Sequence, residues 1–422
     1  YPAPGWSLGF GKMIFVGPNG GCLLADADGT RRGYTGTATT YINGDYTSTT
    51  FDGHTADGSF IDYDCTYASG PAGTSTTGTV RLPNGTSVVY GGYSENGDQA
   101  YPTSISDANG NYIVITYRWL RAPEIQTITD TLGRVITFNY DSANRLVSVS
   151  VPKLNGGTRT AVRLHYKPLN LNPGFAGGLT TNTVTNTPEV LDSIYYPGTG
   201  TGFWFDDPDS YSSYGMIAKV KEMRGMTSTG TDTDQGIVTP GTASNEKTYD
   251  YPLAPDNSLT DSPTYSTLTE TWDGIDTIPA ITTYQVNFNS TPRTIEVTRP
   301  NGLKSKQYMY NESGDWKDGL IYKDENYNPK GLLLNKSEVT CEEGAYDSGR
   351  PIENETTDEK GQKLKLEMSY GQNYNQVTSV KEYEYDGVTL SKETKNTYEN
   401  SPSYTDRHIF SLLKSTEVLD EN

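Results

Sequence analysis

Thirteen Asn-Gly or Asp-Gly pairs punctuate the 422 residues, and they limit how far any one element can run. Asn-Gly stands at residues 19, 43, 84, 96, 109, 155 and 301, and Asp-Gly at 28, 52, 57, 273, 318 and 386. Such pairs tolerate positive φ at both central positions of a tight hairpin turn. Between them lie short runs rich in Thr, Tyr, Val and Ile, residue types that fit a pleated surface. Their period is two. Ile136, Phe138 and Tyr140 share one face, as do Val162, Leu164 and Tyr166, with Arg163 and His165 opposite. Val377 to Tyr385 and Val388 to Tyr398 flank Asp386-Gly387 as a hairpin. No amphipathic helix longer than two turns is legible. The expected fold class is all-β, an extended antiparallel sheet of β-hairpin repeats, spiralling or partly closed like a shell.

Composition refines this picture. Hydrophobic residues make up 33%, low for a thick dry core, while Tyr outnumbers Phe 32 to 10. A tyrosine buries a large ring and keeps one end wet, which suits a thin sheet with two partly solvated faces. The net charge of −19 argues against nucleic acid, whose phosphates need Lys and Arg. It argues equally against anionic membrane surfaces, and no apolar run is long enough to span a bilayer. The three cysteines, Cys22, Cys65 and Cys341, form no CxxC pair, so a cysteine zinc site is not expected. Cys22 and Cys65 are the nearest pair in sequence. A disulfide between them and three buried thiols both remain open, the thiols being the favoured reading. The chain opens on Tyr1, which reads as a processed, exported product.

Five segments are distinguishable. Residues 1–98 are an entry region with β-hairpins, and 99–169 carry the best-formed repeats. Residues 170–226 begin as a loop and continue as strands. Residues 227–247 are so rich in Gly and Thr that they read as a linker or long loop. Residues 248–422 hold 17 glutamates and 13 lysines against 5 and 6 in residues 1–247, the mixed charge of an exposed sheet face.

One unit recurs. Asp130-Thr-Leu-Gly133-Arg134 precedes a strand that ends at Tyr140-Asp141, and Asp141-Ser-Ala-Asn144-Arg145-Leu146 repeats the layout. Asp107-Ala-Asn-Gly110-Asn111 is an earlier copy and Tyr385-Asp386-Gly387 a weaker one. The expected physics is local: Tyr ends the strand and stacks on the next strand's Tyr, Asp accepts backbone N–H groups, and Gly or Asn supplies positive φ. Repetition grows a sheet strand by strand.

This unit resembles the Y-D-x-x-G-R-L signature of the bacterial Rhs/YD-repeat family. Pro4-Gly5-Trp6-Ser7-Leu8 is similar to the G-W-S-L segment that opens the family's repeat region. The run from Tyr195 to Phe205 (YYPGTGTGFWF) is similar to its Y-P-x-G-x-x-x-x-F unit. The resemblance implies large antiparallel sheets exposed at or beyond the cell surface, in wall-associated proteins, toxin shells and, more distantly, teneurin-like animal adhesion proteins. The P-x-x-x-x-D-P-x-G sequence of toxin-bearing members does not occur here, which favours a scaffold, fibre or surface module over a capsule.

Catalysis is not expected. His54, His165 and His408 form no metal or nucleophile pattern, and His165 reads as a surface residue. No G-x-S-x-G elbow is present. Asp206 and Asp207 beside Trp204 are the one candidate for glycan contact, since aromatics next to paired acids can hold or cleave a sugar; a strand followed by an acidic turn is the plainer reading. No cofactor is expected. The expected partners are further copies of the chain, or a cell-surface or glycan partner, without nucleic acid or membrane insertion.

Overall fold

A computed structural model describes residues 3, 6–17, 21–32, 34–55, 59–93, 97–118, 123–171, 187–212, 215–251, 265–274, 278–344, 349–372 and 374–420. Most of the Asn170–Pro188 loop and two of the Asn-Gly and Asp-Gly pairs (residues 19–20 and 57–58) lie outside them. The fold is all-β and antiparallel, as the turn spacing requires, with one four-residue helix, Pro402–Thr405, among the described residues. The chain forms two compact units. One comprises residues 1–8, 124–284 and 298–300; the other comprises 9–123, 285–297 and 301–422.

In the first unit, strands pair with their sequence neighbours from Ile125–Asp130 to Ala280–Asn287. The segment expected to be a linker behaves differently. Thr227–Ser228 and Val238–Thr239 pair as a small hairpin, and Thr242–Asp250 is a full strand of the main sheet. The hairpin lies on the sheet face through polar contacts. Thr160 Oγ1 donates to Asp232 Oδ1 at 2.9 Å, Gln235 Oε1 accepts from the Tyr166 amide at 2.9 Å, and Arg163 donates to the Thr231 carbonyl. The register shift at His165/Tyr166 frees that amide from the ladder. Composition suggested a linker because Gly, Thr and Asp cannot form a core, but they can hydrogen-bond to a polar sheet face.

The same hairpin overturns the surface reading of His165. Its ring is buried, with Nε2 3.0 Å from Ser228 Oγ. Burial holds the imidazole down at about 4, so it is neutral near pH 7.

The second unit contains two contrasting regions. In residues 9–123, Met13, Leu24, Phe51, Tyr63, Val80 and Tyr90 form a buried cluster closed by the Cys22–Cys65 disulfide, with a Cα–Cα distance of 6.4 Å. The disulfide replaces the favoured reading of three buried thiols; Cys341 stays free. Gly78 is required here, because a Cβ at that position would collide with the main-chain carbonyl oxygen of Asp64 and sit 2.7 Å from Met13 Sδ. Residues 301–420 pair in simple succession from Lys304–Met309 to Leu413–Asp420.

The turn after Pro402–Thr405 returns to the unit's first region. Phe410 donates its amide to Pro83 O at 3.0 Å, and the Tyr374 and Phe410 rings stack at 3.9 Å. Buried His408 places Nε2 2.8 Å from Phe60 O and Nδ1 3.1 Å from Asp62 Oδ2.

Candidate functional site

The repeat turns form as the sequence suggests, with one carboxylate organising each. Asp130 Oδ1 accepts the amides of Leu132 and Arg134 at 3.0 and 2.9 Å, while Oδ2 accepts from Arg134 Nε at 2.6 Å. Asp141 repeats this with Ala143 and Arg145 at 2.9 Å each, and with Arg145 Nε at 2.7 Å. Asp107 substitutes Asn111 for the arginine: Asn109 and Asn111 amides at 2.8 and 2.9 Å, and Asn111 Nδ2 at 2.7 Å. Gly110 and Gly133 have φ of 88° and 74°, and Asn144 takes the same role at 63°. The Arg134 hydrogen bond holds the Asp130 carboxyl below its ordinary range, and the Asn111 amide does so for Asp107. Asp386 accepts from Thr389 Oγ1 and the Val388 and Thr389 amides, which lowers it to about 2. Tyr385, however, lies outside the paired strands and is exposed; its strand ends at Tyr383, whose hydroxyl meets Glu367 Oε2 at 2.5 Å.

The tyrosines carry a second regularity that the sequence reading missed. Six of them donate a hydroxyl hydrogen bond to a main-chain carbonyl near the start of the preceding paired strand. The pairs are Tyr117 to Pro102, Tyr140 to Ile125, Tyr166 to Leu146, Tyr251 to Ile217, Tyr370 to Pro351 and Tyr398 to Val377, at 2.5 to 3.0 Å. When each ladder is continued, the acceptor stands opposite the residue just before the tyrosine. Each ring therefore covers a strand start and ties it to the neighbouring strand end. Ring-on-ring contact of tyrosines is a separate feature: Tyr249, Tyr265 and Tyr284 approach at 5.0 and 5.3 Å and Tyr310 and Tyr322 at 4.6 Å, while Tyr117 and Tyr251 of the six also reach Tyr101 and Tyr265 at 6.3 and 6.2 Å.

The acidic stretch after Trp204 is paired with lysines. Lys167 Nζ lies 3.1 Å from Asp206, Lys221 2.5 Å from Asp207 and Lys219 2.5 Å from Asp209. Trp204 packs against Tyr195, Met223 and Met226, and Trp6 meets Phe205 edge-on at 5.4 Å. Asp192 is the perturbed acid nearby. Burial pushes its carboxyl up to about 6, with Ser193 Oγ donating to it at 2.8 Å. A sugar-cleaving pair needs one acid and one carboxylate directed at substrate. Here Asp206 and Asp207 are each engaged by a lysine, and the Trp204 ring is partly covered. Among the described residues no group of His, Cys, Asp and Glu is arranged to hold a metal ion.

The strand Leu413–Asp420 closes the description. It pairs with Leu390–Tyr398 on one side, and all eight of its residues are exposed. Among the described residues its other edge has no strand partner.

Against this geometry the comparisons are brief. The RHS Repeat family matches residues 124–153, which span the turns at Asp130 and Asp141. No curated protein matches. Among solved structures, the pore form of the Photorhabdus luminescens Tc holotoxin is similar at 11% identity and a TM-score of 0.44, over 94% of this chain and 21% of that one. The chain thus spans about a fifth of that protein's length. The N-terminal domain of the effector SpvB from Salmonella typhimurium is similar at 10% identity and a TM-score of 0.20, over 84% and 88%. Residues 124–153 thus match an RHS repeat, and the Asp130 and Asp141 turns lie within the matched stretch.

Proposed function

We propose that this chain is a non-enzymatic, extracellular β-scaffold that works through sheet surface and strand edges and associates with further copies of itself. The observation that carries this reading is the strand Leu413–Asp420, which among the described residues pairs on one side only, is exposed along its length and bears Leu413, Val418 and Leu419. An open strand edge presents unpaired N–H and C=O groups, and pairing with another chain satisfies them. Head-to-tail pairing that does not close gives a filament. The Cys22–Cys65 disulfide supports a location in an oxidising compartment. The lysine-paired acids around Asp206 support a structural role for that cluster.

The test is sedimentation velocity across a concentration series, with electron microscopy of the same samples. Concentration-dependent growth into filaments is expected for the wild type. Thr416→Pro, or Val418→Lys as the milder change, should suppress it. A wild type that stays monomeric at every concentration refutes self-association. Discrete hollow particles would instead favour a shell segment of a toxin.

A further inference from the structure

A single open edge gives only a symmetric pair, because the same surface must meet itself. Growth into a filament requires a second, different surface that accepts the first. The second unit offers one. Tyr34–Asn43 pairs with Tyr46–Thr55 through ten consecutive positions and, among the described residues, with no other strand. Gly36 to Asn43 are all exposed, with Tyr41 at 60% and Ile42 at 68%. Gly44 and Asp45 form a two-residue turn, so Asn43 and Tyr46 exchange hydrogen bonds. Counting back by two, Ile42, Thr40 and Ala38 turn their N–H and C=O groups away from Tyr46–Thr55.

Strand edges are ordinarily guarded against such pairing by Lys, Pro, an inward charge, a bulge or short length. Tyr34–Asn43 has none of these. It is ten residues long, contains no Pro and no charged residue, and its ladder runs without a register shift. Thr, Tyr and Ile make up most of it, the residue types that fit a pleated ladder. Arg31–Arg32 shows the contrast. Among the described residues it pairs only with Cys22–Ala25, but it is two residues long and carries two positive charges.

Charge and length select the occupant. Leu413–Asp420 carries Lys414, Glu417 and Asp420. Two copies of that strand would bring Glu417 and Asp420 of both into one ladder, and like charges opposed across strands are destabilising. Tyr34–Asn43 is uncharged, so no register between the two strands opposes like charges. Ser415–Asp420 runs without a shift against Leu390–Tyr398, and its six straight residues fit within the ten of Tyr34–Asn43. We infer that the outer edge of Tyr34–Asn43 receives the Leu413–Asp420 strand of a second copy. This inference rests on the self-association proposed above and names the surface that accepts the open edge. The contact joins two different surfaces, so it repeats from copy to copy.

The test is sedimentation velocity of the full chain with one edge blocked at a time. Ala38→Pro removes an outward N–H and no bond to Tyr46–Thr55, and edge strands tolerate proline at such positions. Ile42→Glu is the second variant; it keeps the backbone and adds a charge of the same sign as Glu417 and Asp420. Circular dichroism checks that both fold. Each should be monomeric where the wild type forms filaments, and so should Thr416→Pro. Mixed one to one, Ala38→Pro and Thr416→Pro should form dimers and stop, because that pair retains one open edge of each kind. Filaments of both Ala38→Pro and Ile42→Glu, equal to those of the wild type, overturn the inference and leave self-association standing. Dimers of Ala38→Pro alone, or a mixture that stays monomeric, overturn it too. A wild type that is monomeric at every concentration overturns both readings.

Discussion

Residues 9–123 and 301–420 belong to one unit and are both antiparallel sheet, yet different interactions hold them. The earlier region packs Met13, Phe51, Tyr63 and Val80 into a dry cluster and pins it with Cys22–Cys65. In the later sheet only Met309 and, in the returning turn, His408 and Phe410 are buried among the described residues. Its faces carry Lys–Glu pairs instead: Lys336–Glu338 at 2.6 Å, Lys363–Glu355 at 2.8 Å, and Lys365 between Glu353 and Glu367 at 3.1 and 2.8 Å. Tyrosine hydroxyls join them, with Tyr308 and Tyr327 both 2.6 Å from Glu325. Apolar burial contributes about 25 cal/mol per Å², whereas an exposed ion pair contributes about 0–1 kcal/mol. A sheet can thus propagate without a thick core if its turns are strong and each strand is tied to the next.

The largest expected effect breaks the earlier region. Phe51→Ala should cost about 3–5 kcal/mol, and replacing Cys22 and Cys65 together about 2–4 kcal/mol. Both are read from denaturant midpoints, with limited proteolysis reporting which region opens first. Cleavage should appear within residues 9–123; equal protection there would remove the contrast. In the later sheet the corresponding truncation, Met309→Ala, should cost about 2–3 kcal/mol, and similar changes at its half-buried positions less.

The first unit sharpens the contrast through pH. Asp192 is raised to about 6 by burial, so its contribution is fully present below the ordinary carboxylate range near 3.8 and is lost as pH rises through about 6. His165 is lowered to about 4, so its contribution is present above about 6.5 and lost as pH falls through about 4. The two slopes oppose each other between pH 4 and 6. Asp192→Asn should therefore raise stability at pH 7 by about 1–3 kcal/mol and expose the His165 slope. Thermal midpoints across this range check it, and an unchanged profile would refute the assignment.

Smaller effects test the tyrosine ties. Tyr140→Phe and Tyr398→Phe should each cost about 1 kcal/mol, since each loses a single hydrogen bond. Similar costs in both units would show that the tie is general. The smallest effect belongs to the charge ladder. Half-molar salt should reduce the later sheet's stability by no more than a few tenths of a kcal/mol per pair. A larger loss would make the ladder, rather than the turns and tyrosines, the main source of its stability.

Much of the fold was legible because it is local. Asn-Gly and Asp-Gly pairs set the turns, alternation set the strands, and Asp130, Asp141 and Asn144 occupy the roles their residue types dictate. These choices depend on φ, ψ and hydrogen bonds within about five residues, which a linear chain displays. The candidate site was legible less far. Trp204, Asp206 and Asp207 stand near one another in sequence, but the lysines that engage the acids come from strands 14 to 39 residues away.

Tertiary structure alone decided the rest. It joined Cys22 to Cys65, laid the 227–239 hairpin over His165, and returned Phe410 to Pro83. It also selected the tyrosine hydroxyls' acceptors. Those acceptors are main-chain carbonyls, which every residue carries. Sequence can mark the tyrosine that donates, but only the register between strands determines which carbonyl receives it.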